Sequence, residues 1–455
     1  MWDLNQLKTE LKRNNRIKSW VITQEHVHRR ERYFMSDAGS DLITDQDRSV
    51  HQQNIQVKLS VHLDQKPERQ GEITKKLFPS LPLGAQINNA VEAALETDHK
   101  AWSLPDETHA NLPQRQTTDP KMAEDLDRVV DQVSHQISGI VAKKRDTKFN
   151  SAELFMSVHN REFHLSTGLQ HRSSQSRIYV EAAYSYTRRT PKGELESDEY
   201  LNTRWAVNLD DLALEKLFDE TSDRAQHSLG LEKPVTGKYP VIIDADVLAT
   251  LFNTYITQLS SASAYNELPF IKVGEEFIPG ANQDLLNVTL DPSLNFGADT
   301  TSFSDQGVMQ EPLKVVENGR VVASLTDKQY ADYLGKPAAT SRGNIVVQPG
   351  NLNYEDLTKA APQVIEILQF SGLFADPYSG TFSSEIRLAR LYDNVKKTVT
   401  YLKGGSLSGS IRDNFKGARL GQARVKRAHF ESNSMHGHGY FGPEYVLLSD
   451  VSIVG

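Results

Sequence analysis

The sequence predicts an α+β fold of two domains. The first is an N-terminal α+β domain over residues 1–233, and the second is a mostly antiparallel, barrel-like or sandwich-like β domain over residues 234–455. Three observations support this prediction. One order of helices and strands occurs twice in the first half. Short strand-like runs alternate with Gly, Asn and Pro turns in the second half. The 455 residues contain no low-complexity tract and are enough for about two or three domains with apolar cores.

The first repeat covers about residues 1–102 and contains predicted strands between two predicted helices. In its second strand, Ile55, Val57, Leu59 and Val61 alternate with polar residues, as expected for a half-buried strand. The predicted elements are, in order, a helix over 3–14, strands over 19–28 and 54–63, a turn at Gly71-Glu72-Ile73 and a helix over 85–96.

The second repeat covers about residues 121–230 and has the same order of elements. The segment before it, 103–120, contains Pro105, Pro113 and Pro120 and has no periodicity, which predicts a linker or surface loop. The predicted elements of the repeat are a helix over 121–142, strands over 152–158, 162–166 and 177–186, a turn at Gly193-Glu194-Leu195 and a helix over 210–228.

The second domain is predicted to begin near Gly237-Lys238-Tyr239-Pro240 and to open with a helix. Asp244 is suited to be the N-cap of this helix, because its side chain can accept hydrogen bonds from free backbone N–H groups. A second helix is predicted over 354–370, and the remainder is predicted to be sheet. The first helix has an apolar stripe at helical spacing, which consists of Val247, Leu248, Leu251, Phe252, Tyr255, Ile256 and Leu259.

The composition excludes several kinds of chemistry. The chain has no cysteine, so disulfides, thiol nucleophiles and thiolate metal ligands are excluded together. No apolar run reaches the roughly 18 residues that a membrane span needs, and the most apolar stretch, 239–252, is interrupted by Asp244 and Asp246. The segment 1–20 is charged and lacks the apolar core and cleavage site of a signal peptide. We therefore expect a soluble cytoplasmic protein with no membrane partner.

The net charge of −8 is unevenly distributed along the chain. Residues 387–427 contain eleven Lys and Arg, and only Asp393 and Asp413 oppose them within the segment. One interpretation is a set of exposed strand positions at which cations protect sheet edges. The other is a groove for nucleic acid or an acidic peptide. Aromatic residues are sparse in this segment, so nucleic acid is not the expected partner.

Short segments in the second half occur in the order Gly237-Lys238-Tyr239-Pro240-Val241-Ile242, Ser304-Asp305-Gln306-Gly307-Val308, Val316-Glu317-Asn318-Gly319, Arg342-Gly343-Asn344, Gln348-Pro349-Gly350-Asn351-Leu352, Tyr378-Ser379-Gly380 and 404–411. In this order, and behind a duplicated first half, they resemble the TldD/PmbA family, also called modulators of DNA gyrase. The resemblance implies a two-domain α+β fold and a role in the proteolysis of peptides or unfolded proteins. It also implies self-association as a homodimer or pairing with a related, zinc-bearing TldD-like subunit.

In the zinc-bearing TldD branch, the helix after the first of these segments carries His-Glu-x-x-x-His, and a later Cys completes the zinc site. On this chain the two His positions fall on Asp244 and Ala249, and the Glu position falls on Ala245. A zinc peptidase needs about three protein ligands and a base that activates water. The resemblance therefore implies the PmbA, or TldE, branch, whose members lack the motif and act as partners of the zinc-bearing subunit. We expect no catalytic residues, no metal and no other cofactor.

Two pairs of residues have both a chemical and a structural interpretation. Asp244 and Asp246 could be carboxylate ligands or an acid/base pair, but their position favours helix capping and interaction with the helix dipole. His436 and His438 could supply two metal ligands, but no third ligand is evident and Gly-flanked histidines are typical of surface loops.

A third pair, His26 and His28, faces one side of a predicted strand. The neighbouring Arg29 and Arg30 would repel a bound cation, so we expect these histidines to face solvent.

Arg342, Gly343, Asn344 and Gln348 are the residues that we expect to line a cleft for substrate or partner. They are polar or backbone-permissive, as expected of a loop that presents hydrogen bonds to an extended peptide. Turn chemistry alone would produce the same residue types, so both interpretations remain open.

Three functions are consistent with these observations. The first is a non-catalytic PmbA/TldE-like subunit that lines a cleft for peptide or unfolded-protein substrates of a TldD-type metallopeptidase. The second is a self-associating binding protein without a proteolytic role. The third is a modulator associated with gyrase or nucleic acid through residues 387–427, whose binding would weaken steeply with salt.

Overall fold

Long antiparallel strands form most of the first half of the chain. The computed structural model describes residues 2–36, 42–106, 115–144, 146–431 and 436–455. Seven strands in the first half form one sheet in the order β4-β3-β2-β1-β5-β6-β7. They are β1 (Ile17–Ser36), β2 (Leu42–His62), β3 (Arg69–Leu77), β4 (His99–Lys100), β5 (Lys148–Leu165), β6 (Gln170–Arg189) and β7 (Leu195–Ala206).

The two repeats meet in the middle of this sheet. There β1 pairs antiparallel with β5, from Val21 opposite Leu165 to Met35 opposite Ser151. Each repeat is an antiparallel meander, β1-β2-β3 or β5-β6-β7, with helices before and after it, so the duplicated order is present in the structure. The helices are α1 (Leu4–Arg13), α2 (Leu83–Leu95), α3 (Pro120–Glu124), α4 (Leu126–Val141) and α5 (Leu214–Gln226), with a 3₁₀ turn at Asp210–Leu212.

The helices cover one face of the sheet. Side chains alternate between the two faces of a strand, and one set in β5 and β6 is buried with α4 and α5. Leu154, Met156, Ile178 and Val180 belong to this set and are fully buried. The apolar side chains of β1 and β2 form a second core with α1 and α2. The opposite face of β5, β6 and β7 carries polar and aromatic side chains that meet the second half of the chain.

Two predictions about the repeats are wrong. Gly71 lies within β3 and does not form a turn; a Cβ atom at this position would lie 2.0 Å from the carbonyl oxygen of Ala94 in α2. The glycine is required for this close approach between helix and strand. The strands predicted over 152–158 and 162–166 are one strand, β5, because Asn160 between them pairs with both β1 and β6. The predicted linker 103–120 lies partly outside the described residues.

Five strands of the second half close into a barrel. β13, β8, β20, β16 and β14 are neighbours in this order, and β13 also pairs with β14. A β-rich, barrel-like second half is therefore confirmed. The strands of this half are β8 (Gly237–Asp244), β9 (Val288–Asp291), β10 (Leu313–Glu317), β11 (Arg320–Val321), β12 (Asn344–Val347), β13 (Gln363–Ala375), β14 (Thr381–Asp393), β15 (Thr398–Leu402), β16 (Ser406–Ser410), β17 (Arg419–Leu420), β18 (Arg424–Phe430), β19 (Gly437–Pro443) and β20 (Tyr445–Val454).

Helix α6 (Ala245–Tyr255) packs between the barrel and a six-stranded sheet of order β11-β10-β9-β12-β19-β18. Leu248, Leu251 and Tyr255 of this helix are fully buried, and a 3₁₀ turn at Ile256–Leu259 follows it. The predicted helix is confirmed, but Val247 is only half-buried. The remaining helices are α7 (Ser261–Tyr265), α8 (Lys328–Leu334), α9 (Tyr354–Thr358) and α10 (Ile411–Asn414).

The helix predicted over 354–370 is wrong for most of its length. Helix α9 ends at Thr358, and the barrel strand β13 begins directly after Pro362. Proline lacks a backbone N–H and disfavours helical geometry in the residue before it. Consecutive residues of β13 from Val364 to Leu368 are buried, so both faces of the strand are covered. An apolar run without alternation does not distinguish such a strand from a buried helix.

Candidate functional site

A cleft of about 920 Å³ separates the open face of the N-terminal sheet from the second half of the chain. Strands β5, β6 and β7 form its floor, and helix α6 forms one wall. Strand β13 and the paired strands β18 and β19 supply the rest of the lining. The floor contributes Glu153, Phe155, Tyr179 and Trp205, and α6 with its N-cap contributes Asp244, Asp246, Val247, Ala249, Thr250, Asn253 and Thr254.

Two carboxylates lie at the N-terminus of α6. Asp244 is the N-cap, and its Oδ1 accepts hydrogen bonds from the backbone N–H groups of Asp246 and Val247, both at 3.1 Å. Burial and the negative charge of Asp246 raise the pKa of Asp244 to about 6. Arg427 of β18 donates a hydrogen bond to Asp246 at 3.2 Å. Helix capping and this ion pair account for the positions of both carboxylates.

Aromatic rings form a row across the open face of the N-terminal sheet. Tyr33 of β1 and Phe155 of β5 meet edge to face, with ring centroids 5.2 Å apart. Phe155 stacks on Tyr179 of β6 at 5.5 Å, and Tyr179 lies 4.7 Å from Trp205 of β7. Trp205 then contacts Phe430 of β18 at 5.5 Å. The three floor rings, those of Phe155, Tyr179 and Trp205, are half-buried, so each keeps an accessible part of its surface. Tyr33 is not part of the cleft lining, and the Arg48 guanidinium lies 5.4 Å from its ring centroid.

A carboxylate lies beside this row. Glu153 of β5 is in register with Tyr33 of β1 and Glu181 of β6. Burial and then the negative charges of Glu181 and Glu31 raise the pKa of Glu153. Within the described residues, the Glu153 carboxylate has no hydrogen-bond or ion-pair partner.

One side of the cleft contains the edge of the N-terminal sheet. Among the described strands β7 is the last of that sheet, so one side of its backbone is not paired with a described strand of the same sheet. The Leu201 carbonyl accepts a hydrogen bond from the Gln369 side chain at 2.7 Å. The Thr203 N–H donates to the Asn202 side chain at 3.0 Å. At these two positions of the edge, the backbone groups of β7 are therefore hydrogen-bonded to side chains and not to another strand.

Arg342 lies in a second, smaller cavity of about 370 Å³. Its guanidinium forms an ion pair with Asp299, and one nitrogen lies 3.3 Å from Asp305 and 2.9 Å from Nε2 of His436. Burial opposes the charged form of Arg342, but the carboxylates of Asp299 and Asp305 outweigh it and raise its pKa. Burial likewise opposes ionisation of Asp305, yet its hydrogen bond with His436 and the nearby positive charges hold its pKa well below the usual range.

Gly343 and Asn344 have structural partners. The Gly343 N–H donates to Asp299 Oδ2 at 2.8 Å. The buried Asn344 side chain donates to the Asp291 carbonyl at 2.8 Å and to the Thr300 hydroxyl at 3.0 Å. Its Oδ1 accepts from the Asp299 N–H at 2.9 Å. These bonds hold the loop after β9 against β12.

Gln348 is exposed and lines neither of the two cavities described above. Of the four residues predicted to line a cleft, only Arg342 lines a cavity. The hydrogen bonds of Gly343 and Asn344 give these two residues a structural role. That the four residues line a cleft for substrate or partner stays a prediction.

Comparison with known proteins relates the second half of the chain to a protein family. Residues 236–455 match the family described as PmbA/TldA metallopeptidase C-terminal domain. The second half of the chain therefore contains a domain of this metallopeptidase family. The family resemblance expected from the short motifs is thus confirmed.

Two curated family relatives match shorter parts of the chain. A zinc metalloprotease TldD homolog of Saccharolobus solfataricus is 26% identical over 149 residues, which are 31% of this chain and 32% of the relative. A metalloprotease PmbA homolog of Buchnera aphidicola is 25% identical over 181 residues, which are 38% of this chain and 40% of the relative. The matches therefore span well under half the length of either relative.

The fold is similar to that of a solved family structure, TldE from Thermococcus kodakarensis. The TM-score is 0.76 at 15% identity, and the similarity covers 99% of each chain. At this identity the similarity shows the fold alone. Within the described residues, no helix is long and apolar enough to cross a membrane.

The zinc chemistry of the TldD branch does not fit the residues at the motif positions. Asp244 and Ala249 line the cleft, whereas Ala245 is fully buried in the core behind α6. A methyl group supplies no ligand, and the Asp244 carboxylate is engaged by the capping bonds at 3.1 Å. Within the described residues, no three His, Cys, Asp or Glu side chains are grouped as metal ligands.

The histidines near the end of the chain lie in two different cavities. His436 lines the Arg342 cavity, whereas His438 lines the cleft. His438 is opposite His429 in the β18–β19 ladder, and its Nε2 lies 3.9 Å from Glu431. The structure therefore does not bring His436 and His438 together as two ligands of one metal ion.

Among the β1 histidines and the cations of the basic segment 387–427, only Arg427 lines one of the two cavities. His26 is exposed, and His28 stacks on His51 with ring centroids 4.2 Å apart. In the basic segment 387–427, several cations are in ion pairs that join elements of the fold. Examples are Arg390 with Glu366 at 2.9 Å, Lys426 with Asp211 at 2.8 Å and Arg427 with Asp246 at 3.2 Å.

The floor of the cleft was missed by sequence analysis. Phe155, Tyr179 and Trp205 do not belong to any recognised motif, and Glu153 is one of many acidic residues. The available signal was the alternation along β5 and β6, in which apolar residues point to one face of the sheet and polar or aromatic residues point to the other. That pattern indicates a face without a helical cover, but it does not give the register that brings the rings together.

Proposed function

We propose that the chain is a non-catalytic PmbA/TldE-like subunit of a TldD-type metallopeptidase system. Its cleft would receive a peptide or unfolded-protein substrate. The observation that carries this proposal is the α6 wall, where Asp244 caps the helix and Ala249 presents a methyl group to an open cleft. Such a wall can position a substrate but lacks the ligands that hold a catalytic zinc ion.

An extended segment would bind beside the edge of β7. An added strand satisfies its own backbone hydrogen bonds on a sheet edge and places alternate side chains on the two faces. Here the backbone of the added strand would take over two hydrogen bonds that side chains now make. These are the bond from Gln369 to the Leu201 carbonyl and the bond from the Thr203 N–H to Asn202. The aromatic floor would then lie beneath alternate side chains of the bound segment.

The proposed partner is a zinc-bearing TldD-like subunit, and a homodimer is the state expected in its absence. The curated relative from Saccharolobus solfataricus is named a zinc metalloprotease, which supports a zinc-bearing branch in this family. A domain boundary near residue 234 is part of the proposal and is supported by the family match, which begins at residue 236. The proposal also places the protein in the cytoplasm, which cell fractionation can test.

The catalytic part of the proposal is tested by cleavage of an unfolded protein substrate. We expect no cleavage by the chain alone, and cleavage by a mixture of the chain with a zinc-loaded TldD-like subunit that exceeds cleavage by that subunit alone. Chelator-sensitive cleavage by the chain alone would contradict the proposal. No increase in the mixture would favour a binding protein without a proteolytic role.

Variants at the motif positions provide the matched controls. Asp244→His with Ala249→His places two imidazoles on the cleft wall, and adding Ala245→Glu restores the motif but buries a carboxylate in the core. We expect neither variant to cleave alone, because a third ligand and the groups that orient the imidazoles are missing. The double variant separates this cause from misfolding of the triple variant. Zinc-dependent cleavage by either would show that the cleft retains a catalytic architecture.

Strand addition is tested with backbone-modified peptides. Methylating the backbone nitrogens at alternate positions of a binding peptide removes the donors on one side of its strand. Methylation of one alternate set should abolish binding to the full chain, and methylation of the other set should leave it nearly unchanged. Equal effects of both sets would contradict pairing with β7.

A further inference from the structure

The floor of the cleft is a continuous aromatic surface. Phe155, Tyr179 and Trp205 come from three adjacent strands, and neighbouring ring centroids are separated by 4.7 to 5.5 Å. The rings are half-buried although they lie on the face that the N-terminal helices do not cover. The face of an aromatic ring is negative, so such a surface attracts cations as well as apolar groups.

Carboxylates increase the negative potential of this surface. Glu153 lies in register between Tyr33 and Glu181, and no described residue pairs with its carboxylate. Glu181 accepts a hydrogen bond from the Tyr179 hydroxyl at 2.8 Å, and Glu31 is paired with Arg29 at 2.8 Å. Glu153 is therefore the carboxylate that remains available to a ligand at the floor.

The cations that line the cleft are already engaged. Arg427 is bound to Asp246 at 3.2 Å. Arg224 donates to the Tyr200 hydroxyl at 2.9 Å and to the Leu368 carbonyl at 3.1 Å. Neither contact involves Glu153, which faces two like charges instead. A positive group from outside the chain would remove this repulsion.

We propose that the aromatic floor, with Glu153 at its edge, binds the cationic side chain of a lysine or arginine carried by an extended peptide segment. This inference rests on the proposed function of the cleft and adds a substrate class to it. An ammonium or guanidinium group over the rings would gain cation–π attraction, and Glu153 would supply the counter-charge. The apolar stem of the side chain would cover the exposed ring surface.

The test measures binding of three labelled peptides to the full chain by fluorescence anisotropy. The peptides have capped ends and about eight residues, a usual strand length, and they differ only at one central position. That position is lysine, its uncharged isostere norleucine, or glutamate. We expect the lysine peptide to bind roughly five- to thirty-fold more tightly than the norleucine peptide. The glutamate peptide should bind most weakly, and roughly 1 M salt should reduce the differences.

Variants identify the groups responsible. Glu153→Gln should reduce the preference for lysine over norleucine at least several-fold while leaving norleucine binding nearly unchanged. Tyr179→Leu should reduce the same preference, whereas Tyr179→Phe, which keeps the ring, should retain most of it. Glu194→Gln, in the β6–β7 turn of the same sheet, makes the same change of charge away from the floor and should have no effect.

The outcomes distinguish this inference from the proposed function. Equal binding of the lysine and norleucine peptides would overturn the cation site while leaving the peptide cleft intact. No binding of any of the three peptides would contradict both the peptide cleft and the cation site. A lysine preference that persists in Glu153→Gln and Tyr179→Leu would also overturn the inference, because the selective surface would then lie elsewhere.

Discussion

The two cavities differ in how their charged side chains are partnered. In the smaller cavity, Arg342 is bound to Asp299 and Asp305, and Asp305 also contacts His436. In the cleft, Glu153 faces other carboxylates and has no partner among the described residues. The loop that carries a recognisable motif is thus held by its own ion pairs. The surface available to a ligand is formed by strands that carry no motif.

The largest expected effect concerns the ion pair of the smaller cavity. Asp299→Ala should lower the free energy of unfolding by roughly 3–5 kcal/mol. The change removes one of the two carboxylates that neutralise the half-buried guanidinium of Arg342. The same change removes the acceptor of the Gly343 N–H. Urea denaturation of the full chain measures the loss. A loss below about 1 kcal/mol would show that this cavity is not held by its charges.

The second prediction separates the two faces of α6, since one supports the core and the other lines the cleft. Leu251→Ala should cost roughly 2–5 kcal/mol, because Leu251 is fully buried. Val247→Ala should cost much less, because Val247 is half-buried at the cleft. Comparison of the two denaturation midpoints tests the assignment. Equal losses would mean that the cleft wall is packed as tightly as the core.

The third prediction uses pH to examine the smaller cavity. The pKa of Asp305 is held low by His436 and Arg342, so its ionised form stabilises the folded chain. This contribution is present above the ordinary Asp pKa and is lost as the pH falls through the lowered pKa. Asp305→Asn should therefore be less stable by up to about 1 kcal/mol at neutral pH. The difference should shrink in acid, and a difference that grows in acid would contradict this assignment.

The smallest effect, with the opposite sign, is expected in the cleft. The pKa of Glu153 is raised, so its ionisation destabilises the folded chain as the pH rises from the ordinary Glu pKa through the raised value. Glu153→Gln should then be equally stable in acid and more stable by roughly 0.2–1 kcal/mol at neutral pH. Thermal unfolding across this range measures the difference. A variant less stable than the native chain at neutral pH would show that Glu153 has a stabilising partner.

Much of the fold could be predicted, and the errors have identifiable causes. The repeated order of elements and helix α6 were evident because periodicity and capping act over a few residues. Strand β13 was mistaken for a helix because burial on both faces removes the alternation that marks a strand. The local sequence predicts a turn at Gly71. The contact that actually requires a glycine there is made with Ala94, which lies in a helix further along the chain.

The candidate site was less predictable than the fold. The motif positions Asp244, Ala245 and Ala249 could be compared with a zinc motif residue by residue, so the missing ligands were evident from the sequence. Arg342, Gly343, Asn344 and Gln348 were selected as polar or backbone-permissive residues of loops, and of these four only Arg342 lines either of the two cavities. Polar residues in a loop are equally suited to binding a ligand and to holding the loop itself.

The sequence by itself determined which chemistry this chain lacks, since cysteine and the His and Glu of the zinc motif are absent from the positions that would need them. It also determined the alternation that leaves one face of the N-terminal sheet polar and aromatic. Only the tertiary structure decided that Phe155, Tyr179 and Trp205 form one surface and that Glu153 lies there without a partner among the described residues. Cross-strand register and the packing of the two halves join residues far apart in the chain, and no local pattern specifies those contacts.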